Sequence, residues 1–111
     1  MILKALRRWW QCLQKRPDIK RVIIVESMTD VPARLASNFY VVRRAGFDRR
    51  AVFNCPCNCG RRIDLNLVKS QGPNWSLAIK NGKATLNPSV WLRDEPCQSH
   101  FFIRDNKVMW V

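Results

Sequence analysis

The pattern of apolar and polar positions divides the chain into a short N-terminal segment and a longer part with β character. Over residues 2–16 the apolar side chains recur at helical spacing and share one face, while Lys, Arg and Gln occupy the other. Pro17 interrupts this pattern. We therefore predict a basic amphipathic helix within residues 1–17, with Trp9 and Trp10 on its apolar face.

After Pro17 the apolar residues form short β-branched or alternating runs, which are typical of strands. The Asn81-Gly82 pair predicts a tight hairpin turn. A helical turn is predicted over residues 30–36, capped by Asp30 with Pro32 close behind. Strands are predicted over residues 21–26, 39–42, 51–53, 63–68, 75–79, 84–86, 101–103 and 107–110.

Composition and charge narrow the class of protein. A chain of 111 residues, 47% hydrophobic and 25% charged, has the size and balance of one globular domain. A net charge of +12 favours polyanions or acidic protein surfaces as partners. The N-terminal segment lacks the uninterrupted apolar stretch of a secretory signal, so we predict a cytoplasmic protein. In that reducing compartment, clustered cysteines indicate a metal site rather than disulfides.

Two clusters of potential metal ligands lie far apart in the sequence. Cys55, Cys57 and Cys59 fall within five residues, and Cys97 precedes His100 at a Cys-x-x-His spacing. Zinc takes four Cys or His ligands, usually as two short pairs that the fold brings together. Cys97 and His100 form one predicted pair, and two of the three clustered cysteines form the other.

Among the three clustered cysteines, Cys59 is favoured because Gly60 follows it, whereas the sequence does not choose between Cys55 and Cys57. The remaining thiol is a free buried cysteine, a group beside the ligands, or the ligand in place of His100. Cys12, on the predicted helix, is expected to be a free thiol. We therefore predict one structural Zn2+ in a zinc ribbon-like centre. The predicted fold is mainly β, a small α+β class, with six to eight short strands around the zinc and one N-terminal amphipathic helix. All of it forms a single domain, residues 1–111, in which residues 18–111 are the β-rich zinc core.

The sequence predicts no enzymatic activity. A zinc ion closed by four or five available Cys and His ligands has no open position for water. The chain also has no His-Glu-x-x-His motif and no glycine-rich phosphate loop, and its one histidine is assigned to the metal. We therefore expect a non-enzymatic accessory or adaptor module.

A resemblance to a known family rests on the order and spacing of several motifs in the second half of the chain. These are residues 53–60 (Phe-Asn-Cys-Pro-Cys-Asn-Cys-Gly), Ile63, Leu65, Trp75, Gly82, residues 85–91 (Thr-Leu-Asn-Pro-Ser-Val-Trp), residues 97–101 (Cys-Gln-Ser-His-Phe), Ile103 and Trp110. The chain resembles a family of small bacterial proteins of unknown function that bind zinc and are often encoded beside ubiquitin-like conjugation genes. The resemblance implies an accessory role in such a conjugation or defence system.

Three kinds of partner follow from these features. A protein partner, either a component of the conjugation system or its substrate, is expected to contact Trp9 and Trp10 with the neighbouring Arg7 and Arg8. The alternative function is nucleic-acid binding through the basic surface. Attachment of residues 2–16 to a membrane surface is the least favoured possibility.

Overall fold

Residues 18–111, the part of the chain that the computed structural model describes, form two four-stranded β-sheets. The first sheet has the order β1-β2-β3-β4 and the second the order β5-β6-β7-β8. β1 pairs with β2 in parallel, and every other pair is antiparallel. The strands are β1 (Arg21–Val25), β2 (Asn38–Arg44), β3 (Phe47–Asn54), β4 (Arg62–Asn66), β5 (Ser76–Lys80), β6 (Lys83–Trp91), β7 (His100–Arg104) and β8 (Lys107–Trp110).

The predicted small α+β class is wrong for this part of the chain, which is all β. Its single helical element is a 3-10 turn, Met28–Asp30, so the helical turn predicted over residues 30–36 is also wrong. Ser27 rather than Asp30 caps the turn, accepting a hydrogen bond from the Thr29 amide. Val31 is extended because Pro32, which follows it, disfavours helical backbone angles at the preceding residue. The helix predicted within residues 1–17 lies outside the described residues.

The inner faces of the two sheets meet in one shared hydrophobic core. Phe39 and Phe53 of the first sheet stack with their ring centroids 5.0 Å apart, and Phe53 meets Phe101 of the second sheet edge to face. Leu86 and Ile103 complete the centre of this core and are almost fully buried. The alternation of apolar and polar residues along the strands therefore places one face of each sheet inside.

A smaller core covers part of the opposite face of the first sheet. Val31 and Leu35, from the connection between β1 and β2, pack over Tyr40, Val42 and Val52. The middle of β2 and the end of β3 around Val52 are consequently covered on both faces of the sheet. This explains why both segments are continuous apolar runs rather than alternating ones. The predicted hairpin turn at Asn81-Gly82 is confirmed, and both residues adopt positive φ angles, 53° and 73°.

Candidate metal centre and active site

The fold brings the two cysteine clusters together. Cys55, Cys57 and Cys59 lie in the connection between β3 and β4, and Cys97 lies in the connection between β6 and β7. Their four Sγ atoms all fall within 4.8 Å of one another. Four sulfurs around a tetrahedral zinc at ~2.3 Å would lie about 3.8 Å apart, so the cluster has the size of such a site. These four cysteines could therefore hold a metal ion.

Local backbone geometry explains how three cysteines from one short loop converge. Asn58 and Gly60 adopt left-handed angles, with φ of 70° and 83°, which turn the chain sharply around the sulfurs. The Cys55 amide donates to the Arg61 carbonyl at 2.8 Å and closes the loop. An ion pair between Arg61 and Glu95, 2.7 Å long, joins this loop to the one that carries Cys97.

The surroundings raise the pKa of two of the cysteine thiols and lower the pKa of a third. Burial raises the pKa of Cys55 far above its ordinary value and raises the pKa of Cys59 to about 11. Burial also acts on Cys97, but hydrogen bonds from the Ser99 side chain and backbone outweigh it and lower the pKa of that thiol. A metal that binds at neutral pH must therefore displace protons from Cys55 and Cys59.

His100, predicted as a ligand, lies outside the group of four cysteines. Its imidazole Nε2 instead lies 2.8 Å from the Ser89 hydroxyl oxygen, a hydrogen-bond distance. A neutral imidazole that carries its proton on Nδ1 accepts this hydrogen bond through Nε2 and so can take the hydroxyl proton. A serine hydroxyl bonded to a histidine in this way is the nucleophile–base arrangement of serine hydrolases.

An irregularity in β6 places Ser89 next to His100. Leu86 and Val90 are four residues apart on β6, yet they pair with Ile103 and Phe101, which are two residues apart on β7. The two additional residues bulge out of the sheet, a device that redirects side chains beside active sites. The Trp75 indole donates a 3.3 Å hydrogen bond to the Ser89 carbonyl and anchors the bulge.

The metal cluster and the Ser89–His100 pair are neighbours. Ser99, which precedes His100, is buried, and its hydroxyl oxygen lies 3.4 Å from the sulfurs of both Cys55 and Cys97. The Leu92 amide donates to the Ser99 carbonyl at 2.8 Å, and the Val111 amide donates to the His100 carbonyl at 3.0 Å. The start of β7 is thus held by the contacts of Ser99 with the cysteine cluster and by hydrogen bonds from residues 92 and 111.

Comparison with known proteins identifies the chain. The family model described as bacterial ubiquitination-like system serine protease (BubE) matches residues 24–111. The chain belongs to this family. Searches of curated proteins and of solved structures found no match. The expected link to a bacterial ubiquitin-like system is therefore confirmed, and membership of that system indicates protein partners.

The prediction that the chain is not an enzyme is wrong, because the family is one of serine proteases. That prediction rested on a zinc shell closed by the available cysteines and on assigning the single histidine to the metal from its Cys-x-x-His spacing. Sequence reasoning also missed Ser89. Val90 and Phe101 are buried partners on adjacent strands, so Ser89 and His100 beside them share the opposite face, but this strand pairing is visible only in the structure.

The remaining predicted features stay predictions. Trp9, Trp10, Arg7, Arg8 and Cys12 lie outside the described residues. Among residues 18–111 no helix is long and apolar enough to cross a membrane.

Proposed function

We propose that this protein is a serine protease of a bacterial ubiquitination-like system, with Ser89 as nucleophile and His100 as general base. The observation that carries the proposal is the 2.8 Å contact between the Ser89 hydroxyl and His100 Nε2. Membership of a serine protease family supports it independently. Within residues 18–111, Ser89 is the serine whose hydroxyl contacts the imidazole; Ser99, although adjacent to His100, contacts cysteine sulfurs instead.

The geometry defines the chemical steps. His100 Nε2 takes the hydroxyl proton as Ser89 Oγ attacks the carbonyl carbon of a peptide bond, forming a tetrahedral intermediate. The histidine then gives that proton to the leaving amine as the C–N bond breaks, which leaves an acyl ester on Ser89. Water attacks the ester with its proton passing to His100, and collapse of the second tetrahedral intermediate returns a proton to Ser89 and releases the acid.

We further propose that the four cysteines bind one structural Zn2+ ion. The set of four thiols matches the soft donors that zinc prefers, and it leaves no ligand position for a reacting water. Bound zinc would supply a cross-link between the β3–β4 loop and the β6–β7 loop. The zinc is thus expected to support the site, while the proton transfers belong to Ser89 and His100.

The substrate of such an enzyme would be a protein component of the conjugation system or a protein modified by it. The catalytic pair lies on the outer face of the second sheet, where it is open to a macromolecular substrate: Ser89 and His100 are half-buried, and the adjoining Trp91 is exposed. We expect the protein to bind its partner as a protease rather than as a non-catalytic adaptor.

A fluorophosphonate probe tests the assignment without knowledge of the substrate. We expect the wild-type protein to react at one residue, Ser89, identified by mass spectrometry of the labelled peptide. Ser89→Ala should abolish labelling, and His100→Gln should slow it by at least about 100-fold, because the base is lost. Ser70→Ala, which removes an exposed hydroxyl in a turn, is the matched control. Labelling that persists in a folded Ser89→Ala variant would refute the proposal.

A further inference from the structure

Among residues 18–111, no carboxylate forms an ion pair with His100. In a Ser-His-Asp triad the aspartate holds the imidazole in the correct tautomer and rotamer. The ion pairs among residues 18–111 join Arg43 to Asp48, Arg50 to Asp64 and Arg61 to Glu95, and none includes His100. Residues 1–17 contain no Asp or Glu at all. Another group must therefore restrain the ring.

Trp91 is in position to do so. It is the cross-strand partner of His100, and the two rings stack with centroids 5.0 Å apart and planes inclined by only 14°. Arg93 lies over the same indole, with its guanidinium carbon 5.1 Å from the ring centroid. The indole is nevertheless 53% exposed. Burial in the core therefore does not account for its position, whereas contact with His100 does.

We propose that Trp91 is the positioning residue for His100 and supplies by stacking the restraint on ring orientation that a triad carboxylate supplies elsewhere. Stacking opposes rotation of the imidazole and keeps Nε2 directed at Ser89. When His100 accepts the serine proton it becomes a cation, and the electron-rich face of an indole attracts a cation. The same contact thus orients the neutral base and stabilises its charged form. This inference rests on the proposed function of Ser89 and His100.

The single histidine of the chain makes the stack directly observable. Its imidazole protons give the only histidine signals in an NMR spectrum, and the indole ring current should shift them upfield. We expect Trp91→Ala to remove that shift and Trp91→Phe to retain part of it. This measurement needs no substrate and no catalytic activity.

The kinetic test uses a fluorophosphonate, which reacts as the bond from Ser89 Oγ to phosphorus forms, the P–F bond breaks and His100 takes the proton. We expect Trp91→Ala to lower the maximal rate of labelling about tenfold or more, with the half-saturating probe concentration unchanged within about twofold. Trp91→Phe should restore most of that rate, because a stacking ring is present again.

Phe47→Ala provides the matched control. Phe47 is an exposed aromatic residue on the first sheet whose ring also lies near an arginine two positions on, Arg49, at 5.8 Å. Its removal should change neither the histidine signals nor the labelling rate.

The outcomes separate this inference from the proposed function. If Ser89→Ala is inert while Trp91→Ala labels at the wild-type rate, the role of Trp91 is overturned and the protease assignment stands. Absence of an upfield histidine shift in the wild-type protein also overturns the role of Trp91. If Ser89→Ala reacts like the wild type, both are overturned.

Discussion

Replacement of Cys97 by serine tests whether the cysteine cluster joins two loops of the protein. Cys97 comes from the β6–β7 loop, whereas Cys55, Cys57 and Cys59 all come from the β3–β4 loop. Cys97→Ser therefore removes the only cysteine of the second loop from the cluster, even if three thiolates still hold zinc. Cys59→Ser removes one ligand but leaves Cys97 and two cysteines of the other loop to maintain the link.

The size of the effect follows from the length of chain that the metal would close. A cross-link that closes a loop of about 40 residues reduces the entropy of the unfolded chain and stabilises the fold by about 4 kcal/mol. For a domain of this size, that corresponds to a decrease in Tm of roughly 15 to 25 °C when the link is lost. The Arg61–Glu95 ion pair also joins the two loops, but both side chains are partly exposed, and such pairs contribute at most about 1 kcal/mol. The metal link should therefore dominate.

The assay combines thermal unfolding followed by circular dichroism with elemental analysis of the purified protein. We expect one zinc per wild-type chain, and a Tm that falls by the calculated amount on chelation or in Cys97→Ser. The Tm of Cys59→Ser should fall less than that of Cys97→Ser. Cys12→Ser, the control variant, should keep both its zinc and the wild-type Tm. Equal melting temperatures for Cys97→Ser and the wild type, with one zinc in each, would refute the cross-link.

Three further predictions concern the metal site and the core. Zinc affinity should fall as the pH is lowered anywhere below about 11, the raised pKa of metal-free Cys59, because protons compete with the metal for Cys59 and for Cys55, whose pKa burial also raises. Competition titration with a chromogenic chelator at several pH values measures this, and a pH-independent affinity would contradict it. Phe101→Ala should lower the free energy of unfolding by about 3 to 5 kcal/mol, because this fully buried ring contacts Phe53 across the two sheets. Urea denaturation measures this loss, and a value below about 1 kcal/mol would show that the two sheets do not share a core. Asn106→Ala should lower the free energy of unfolding by about 1 to 3 kcal/mol in the same assay, because the buried Ala84 amide loses its 2.7 Å hydrogen bond to the Asn106 side chain. An unchanged urea midpoint would contradict this.

Sequence reasoning reached the local features of this protein because local chemistry determines them. Alternating apolar positions predicted the strands at residues 63–68 and 107–110, which the structure places at Arg62–Asn66 and Lys107–Trp110. The Asn-Gly pair required positive φ angles at two successive residues, so the hairpin at Asn81 followed directly. From the spacing of Cys55, Cys57 and Cys59, the sequence predicted that two of them pair at a metal site and left the third open.

Tertiary structure decided which side chain the single histidine meets. Cys97 and His100 have the spacing of a chelating pair, but His100 is the first residue of β7 and faces Ser89 on β6. Cys97 remains in the β6–β7 loop, where it meets the three cysteines of the β3–β4 loop. That choice depends on a strand register with two additional residues between Leu86 and Val90. Register is set by the packing of distant strands against a common core, so no pattern within either segment specifies which partner the imidazole meets.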